Sequence, residues 1–185
     1  MKSSGIFSRR VFLGAAVAIG LTPASAFAVT QNAPEAVAQA AASAEANGKR
    51  LLLVFHASWC GYCQLLDMML EDATCAPILD KYFVIYHLRA LEKKPEMKAQ
   101  QLDGADEVYS SLAAERIGLP YMAALDGKGV RVSDSVMRNG DNFGFPVDAV
   151  ELDNFQDMMR SAAPGMSWDE VRTLRRACVK IYRQN

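Results

Sequence analysis

The feature that most constrains this chain is a pair of cysteines, Cys60-Gly61-Tyr62-Cys63. Before the pair, residues 51–56 form a continuous apolar run, short enough to be a strand buried on both faces of a sheet. After it, a segment from residue 60 or 61 to about residue 71 favours a helix by propensity. The sequence therefore predicts that Cys60 lies at a strand-to-helix junction, at the first turn of the helix.

That position predicts a specific chemistry for the two cysteines. The free N–H groups and the positive dipole end of a helix favour a thiolate over a thiol, so Cys60 is predicted to be a nucleophile. Cys63 lies one turn later on the same face and can close a disulfide with Cys60. Cys60 would attack a disulfide in another protein, and Cys63 would then attack Cys60 to release that protein. Gly61 keeps the turn open, and Trp59 and Tyr62 offer flat apolar surface to an extended substrate.

Two other interpretations of the cysteine pair are weaker. A zinc site needs about four ligands, usually with a second Cys pair or a His pair at fixed spacing, and the chain has only two histidines, His56 and His87. A purely structural disulfide ring of this size constrains little chain and is easily reduced. We therefore expect redox chemistry with no metal and no bound cofactor.

The remaining sequence pattern predicts one α/β domain. The chain has 185 residues, 51% of them hydrophobic, and a net charge of −1, which fits a single globular domain and argues against nonspecific nucleic-acid binding. A charged segment, residues 91–105, is predicted to be a solvent-exposed insertion. Helices are predicted at 34–47, about 106–116, 147–162 and 167–182, and strands at 83–88, 121–125 and 130–133, the last two as an antiparallel hairpin. The expected fold is a mixed β-sheet flanked by helices, with an extra C-terminal helix.

The first 28 residues have the pattern of a signal peptide. Basic residues come first, an apolar run follows at 11–21, and small residues end the segment, with cleavage expected after Ala26 or Ala28. Ser-Arg-Arg-Val-Phe-Leu at 8–13 resembles a twin-arginine export signal. A membrane anchor is the alternative, but the apolar run is well short of the roughly 20 residues that span a bilayer. We expect a mature periplasmic domain of residues 29–185 with no stable membrane span.

Two segments resemble the thioredoxin superfamily, and particularly its exported members. They are Val-Phe-His-Ala-Ser-Trp-Cys-Gly-Tyr-Cys at 54–63 and Arg-Ile-Gly-Leu-Pro at 116–120, and with the order of elements the resemblance covers about residues 33–162. The resemblance implies a thioredoxin-like fold in which Pro120 is cis and lies beside the cysteines. It also implies that Leu119 pairs its backbone with the substrate as an added strand. An ordinary turn proline is the alternative for Pro120.

The chain departs from this family in one position that bears on proton transfer. Where thioredoxins carry a buried Asp six residues before the first cysteine, this chain has Val54. His56, on the same strand face, could carry a proton instead, and a packed or surface histidine is the simpler interpretation. The dipeptide Gly61-Tyr62 is the one found in periplasmic disulfide isomerases. The short segment from Val29 to Arg50 cannot supply their dimerisation domain, and we expect a monomer.

The other two cysteines leave two alternatives open. Cys75 follows the helix that begins at the cysteine pair, and Cys178 lies in the last predicted helix. Outside the cytosol they could form a structural disulfide that holds this last helix to the domain. The alternative is two buried and unreactive thiols.

Together these features predict an exported thiol–disulfide oxidoreductase. Its substrates would be exported proteins with disulfides, which it would reduce or isomerise using electrons from another dithiol protein. A disulfide-forming oxidant and a non-catalytic module that binds proteins are the alternatives. The direction of electron flow depends on the reduction potential of the cysteine pair.

Overall fold

The computed structural model describes residues 32–113 and 117–185. The predicted signal peptide, residues 1–28, lies outside the described residues. Among the helices of the described part, none has both the length and the apolar character needed to cross a membrane.

A four-stranded mixed sheet forms the centre of the domain. Its strands are β1 (Arg50–His56), β2 (Phe83–Arg89), β3 (Tyr121–Leu125) and β4 (Arg131–Asp134), arranged in the order β2-β1-β3-β4. β2 is parallel to β1, whereas β3 is antiparallel to both β1 and β4. The predicted mixed sheet and its antiparallel hairpin are confirmed.

Helices cover both faces of this sheet. Because side chains of β1 alternate between the two faces, Leu51, Leu53 and Phe55 contribute to one apolar core, while Leu52 and Val54 contribute to the other. This explains why the interior of β1 is an unbroken apolar run. The helices, in chain order, are α1 (Ala33–Ala46), α2 (Gly61–Leu70), α3 (Ala76–Tyr82), α4 (Pro95–Lys98), α5 (Ala105–Leu112), α6 (Ala149–Ala162) and α7 (Trp168–Gln184).

The two cores differ in size and in the helices that close them. Residues of α1 and α5 pack on the face that carries Leu51 and Phe55. Residues of α2, α3, α6 and α7 pack on the face that carries Val54. The C-terminal helix α7 is therefore part of the main core and lies against α2, the helix that follows the cysteine pair.

Three details differ from the sequence-based expectations. Helix α3 was not predicted, since a seven-residue segment with a proline at its second position gives no clear helical period. The helix predicted to end at about residue 116 ends at Leu112, because Ala113 adopts an extended conformation. Most of the predicted insertion at 91–105 is exposed or half-buried and contains α4, but Glu92 is buried.

Candidate active site

The cysteine pair lies where β1 passes into α2. Cys60 is the N-cap of α2, and its Sγ accepts a hydrogen bond from the Cys63 N–H at 3.1 Å. Cys60 and Cys63 are joined by a disulfide, with their Cα atoms 5.3 Å apart. The first turn of a helix has N–H groups without helical acceptors, and here one of them points at the Cys60 sulfur. The same N–H would stabilise a thiolate at Cys60 after reduction.

The aromatic side chains on either side of Cys60 are exposed, although the sulfurs are nearly covered. Trp59 and Tyr62 are 45% and 48% exposed, whereas Cys60 and Cys63 are 5% and 3% exposed. A partner that reaches Cys60 therefore meets the Trp59 and Tyr62 rings at the same surface. Their contact with an extended substrate stays a prediction.

The predicted cis proline is confirmed, and it lines the same cleft as Tyr62, which stands between the two cysteines. The Leu119–Pro120 peptide bond is cis. Phe55 pairs with Tyr121, so the start of β3 lies next to the end of β1, and Pro120 comes close to the turn that carries Cys60. A cleft of about 220 Å³ is lined by ten residues that include Tyr62, Leu119, Pro120 and Phe145. Its walls therefore come from both segments that carry the family resemblance.

Asn142 fixes the cis-proline turn from the loop between β4 and α6. Its side-chain amide donates hydrogen bonds to the carbonyls of Gly118 and Pro120, both at 2.8 Å. Its Oδ1 accepts from the Gly144 N–H at 3.1 Å. These bonds hold the carbonyls on either side of Leu119, the residue predicted to pair with a substrate backbone. Sequence analysis did not identify Asn142, because one asparagine in a loop rich in Gly and Asn has no distinguishing signal.

Glu92 is a second residue that the sequence did not reveal. Its carboxylate accepts hydrogen bonds from both the backbone N–H and the hydroxyl of Ser58, two residues before Cys60. In the sequence it is one acid within a charged stretch, but in the structure its side chain is completely buried. Only the tertiary structure distinguishes it from its exposed neighbours.

A small cluster of titratable groups lies between α2 and the end of β1. The rings of His56 and His87 are 5.6 Å apart, and His87 Nδ1 lies 3.5 Å from Asp67 Oδ1. Burial lowers the pKa of His56, and the nearby His87 lowers it further. Burial raises the pKa of Asp67, whose Oδ1 has no hydrogen-bond partner among the described residues. Val54 lies fully buried in the apolar core, as the departure from the family pattern implies.

The remaining two cysteines are free thiols in this structure. Cys75 precedes α3, Cys178 lies on α7, and both are fully buried in the same core. Burial raises the pKa of the Cys75 thiol to about 11. Burial, reinforced by the nearby Cys75, raises the pKa of the Cys178 thiol to about 12. In this structure both thiols are buried and free, as in the second alternative, and the Cys75–Cys178 disulfide is not formed.

No group of three or more His, Cys, Asp and Glu side chains within residues 32–113 and 117–185 is placed to hold a metal ion. A Cys-x-x-Cys disulfide at a helix N-terminus, beside a cis proline, supports thiol–disulfide oxidoreductase activity.

Comparison with known proteins gives a family and several solved structures. The sequence profile of a family described as thioredoxin-like matches residues 30–126. A disulphide isomerase from Xylella fastidiosa Temecula1 is 18% identical, with a TM-score of 0.46, over 82% of this chain and 92% of that one. A thioredoxin-fold protein from Helicobacter pylori is 15% identical, with a TM-score of 0.40, over 75% of this chain and 88% of that one.

A thioredoxin from Thermus thermophilus is 24% identical, with a TM-score of 0.37, over 56% of this chain and 70% of that one. None of the curated proteins matches the sequence. The family match covers more than half of the chain and includes α1, β1, the cysteine pair and the cis proline. The chain belongs to the thioredoxin-like family.

Proposed function

We propose that this protein is a periplasmic thiol–disulfide oxidoreductase that reduces or isomerises disulfides in exported proteins. The observation that carries the proposal is the Cys60–Cys63 disulfide at the N-terminus of α2, with the Cys63 N–H directed at the Cys60 sulfur. A sulfur held in this way is suited both to attack a disulfide and to leave from one.

The reductive reaction begins with the protein in its dithiol form. The Cys60 thiolate attacks one sulfur of a client disulfide, so that a Cys60–client bond forms and the client S–S bond breaks. The leaving client sulfur takes up a proton. Cys63, after losing its proton, attacks Cys60 Sγ, forms the intramolecular disulfide and releases the second client thiol. Two electrons pass from the protein to the client, and a second dithiol protein would restore Cys60 and Cys63.

The surface around the sulfurs supports an extended client segment. Trp59 and Tyr62 expose their rings beside Cys60, and the cleft next to Tyr62 is lined by Leu119 and Pro120. A client strand paired with the Leu119 backbone would gain affinity from main-chain hydrogen bonds, which tolerate many client sequences. We propose that the protein acts as a monomer on such clients.

Turnover of insulin disulfides with dithiothreitol as electron donor tests the activity. We expect the wild-type protein to accelerate reduction and the Cys60→Ser and Cys63→Ser variants to lose the acceleration, since each lacks one sulfur of the exchange. A Cys75→Ala variant is the matched control, because Cys75 is buried outside the site. Equal rates for the wild type and both active-site variants would support a binding module instead.

The equilibrium reduction potential of the Cys60/Cys63 pair in glutathione buffers tests the direction. A reductant would have a potential of about −270 mV, and a strong oxidant one of about −120 mV. We expect a potential closer to that of the reductant. A value near the upper end would replace our proposal by the alternative of a disulfide-forming oxidant.

The proposed location depends on the N-terminal residues, which carry Arg9-Arg10 before an apolar run and small residues up to Ala28. Cell fractionation tests it. We expect the processed wild-type protein in the periplasm and retention of the Arg9→Lys/Arg10→Lys variant in the cytoplasm. A full-length protein that keeps residues 1–28 after export would contradict the proposed signal peptide.

A further inference from the structure

Glu92 makes an unusually complete contact with the turn that leads to Cys60. Its Oε1 accepts a hydrogen bond from the Ser58 backbone N–H, and its Oε2 accepts one from the Ser58 hydroxyl, both at 2.7 Å. The Glu92 side chain is 0% exposed, and the Arg89 guanidinium lies 3.9 Å away. Burying a carboxylate costs free energy unless its oxygens are bonded, and here each oxygen is bonded to Ser58.

The residues on either side of Glu92 hold the next residue of the same turn. Trp59 Nε1 donates a hydrogen bond to the Leu91 carbonyl at 2.9 Å. The Lys93 ammonium lies 3.9 Å from the centre of the Trp59 ring, in cation–π contact. Residues 91–93, which we call the strap, therefore contact two consecutive residues.

Those two residues are the middle of a tight turn. The Cys60 N–H donates to the Ala57 carbonyl at 3.1 Å, which closes a turn with Ser58 and Trp59 at its centre. The turn carries the chain from the end of β1 to the N-cap of α2. The strap thus fixes, from outside, the segment that sets the position of the Cys60 sulfur.

The strap is itself held in an unfavourable backbone conformation. Leu91 has φ 58°, a left-handed value that is uncommon for a residue with a side chain. Its N–H donates to Asp106 Oδ1 at 2.7 Å, and the Glu92 N–H donates to Gln101 Oε1 at 2.8 Å. These bonds hold the conformation that brings Glu92 to Ser58.

We infer that Glu92 is a positioning residue for the redox reaction, which acts through Ser58 to align the Cys60 sulfur for attack. The inference rests on the proposed function, in which Cys60 is the nucleophile. Displacement exchange at sulfur requires the attacking sulfur to lie in line with the bond that breaks, so a small loss of alignment slows attack. Glu92 touches neither sulfur and does not take part in the exchange itself.

The rate at which Cys60 attacks a small aromatic disulfide, 5,5′-dithiobis(2-nitrobenzoate), tests this inference. The measurement uses the Cys63→Ser/Trp168→Phe background, which leaves Cys60 as the reacting sulfur and Trp59 as the one tryptophan. Rates are compared at alkaline pH, where they no longer rise with pH, so that the fraction of thiolate is the same in all variants. We expect Glu92→Ala to lower this rate about tenfold.

Two further variants separate alignment from stability. We expect Glu92→Gln, which keeps the shape of the side chain, to stay within about threefold of the parent rate. Glu96→Ala, an exposed acid in the same segment, is the matched control and should leave the rate unchanged. Glu92→Ala should also shift the Trp59 emission to the red, because the strap is then no longer bonded to Ser58, so that the Leu91 carbonyl and Lys93 withdraw from the indole and leave it more hydrated.

A folded Glu92→Ala variant with a rate within about twofold of the parent and an unchanged emission would overturn the inference. Should that variant fail to fold, Ser58→Ala removes one of the two hydrogen bonds and should lower the rate about threefold, whereas an unchanged rate would overturn the inference equally. Because the reaction with the small disulfide does not require binding of a protein client, this test is independent of insulin turnover. A wild-type protein that fails to reduce insulin contradicts the proposed function and leaves the rate comparison interpretable.

Discussion

At the residue scale, the site depends on two side chains that never touch the sulfurs. Glu92 holds the turn before Cys60, and Asn142 holds the turn around the cis Pro120. Both use polar side chains to bond backbone groups in irregular segments, where the sheet supplies no partner. Such groups must find hydrogen bonds when the segment is covered.

Replacing Asn142 by Asp should weaken client binding more than catalysis. A carboxylate cannot donate to the carbonyls of Gly118 and Pro120 and repels both of them. We expect the free energy of unfolding to fall by about 1–3 kcal/mol and KM for insulin to rise while kcat changes less. Urea unfolding and steady-state reduction kinetics measure these effects.

Asn154→Asp, at a half-buried position of α6, is the matched control for this change. It should alter neither KM nor stability by a comparable amount. An Asn142→Asp variant with wild-type KM would show that the cis-proline turn does not depend on these two hydrogen bonds.

Sequence reasoning found the sulfurs but missed these supporting residues for a physical reason. A local sequence pattern identifies Cys60 and Cys63, because the strand, the turn and the helix that position them follow one another in the chain. Glu92 acts on a residue 34 positions away. Asn142 acts on residues 22 and 24 positions away, and no local period or motif encodes such contacts.

At the element scale, the N-terminus of α7 joins a helix cap to a tertiary contact. Ser167 and Glu170 form a capping box, in which each side chain accepts a hydrogen bond from the backbone N–H of the other residue. The Glu170 carboxylate also accepts hydrogen bonds from Lys81 and Tyr82 on α3. The hydrogen bond from Lys81, followed by those from Ser167, lowers the pKa of Glu170 to about 2.

This lowered pKa predicts an acid-dependent loss of stability. In the unfolded chain Glu170 titrates near its ordinary value of 4.5, and in the folded protein near 2. Its contribution is therefore complete above about pH 4.5 and is lost as the pH falls towards 2. We expect the wild type to lose more stability than Glu170→Gln between pH 6 and pH 3, as measured by urea unfolding at each pH.

Asp169→Asn serves as control, because Asp169 pairs with Arg172 at the exposed surface. The stability of Asp169→Asn should depend on pH more nearly as that of the wild type does than the stability of Glu170→Gln. Parallel pH profiles for the wild type and Glu170→Gln would contradict the role given to the contacts between α7 and α3.

The strands were easier to predict than the helices around them. β1 is covered on both faces, so its apolar run is continuous, and β3 is buried along all five residues. Helix α3 has seven residues with a proline in its first turn, too few to show a period. Its position depends on packing between α2 and β2, and its sequence alone does not define it.

At the scale of the whole molecule, the two classes of cysteine occupy different environments. Cys60 and Cys63 follow the end of the central strand β1, which lies next to the start of β3. Cys75 and Cys178 lie inside the main core, where burial raises the pKa values of their thiols to about 11 and about 12. A thiol that stays protonated and covered is a poor nucleophile.

Alkylation of the oxidised protein by iodoacetamide tests this separation. We expect no modification of the folded protein at pH 8 and modification of both Cys75 and Cys178 in concentrated urea, because only unfolding exposes them. Mass spectrometry without reduction counts the added groups. Modification of either thiol in the folded protein, or of neither in urea, would contradict two buried free thiols.

The topology of the sheet explains why the site forms where it does. β1 ends at the turn that carries Cys60, and antiparallel pairing of Phe55 with Tyr121 brings the cis Pro120 beside that end. The mixed sheet and its antiparallel hairpin could be predicted from the sequence. The packing of α7 against α2 could not be predicted, since the family resemblance ends before α7.

Trapping of a covalent intermediate tests the central claim most directly. Reduced Cys63→Ser protein is mixed with insulin, quenched with acid, alkylated and analysed by mass spectrometry without reduction, with Cys60→Ser as the control. We predict a dithiothreitol-sensitive adduct between Cys60 and an insulin cysteine, and none in the control. No adduct in Cys63→Ser, or equal adduct in both variants, would contradict Cys60 as the attacking sulfur.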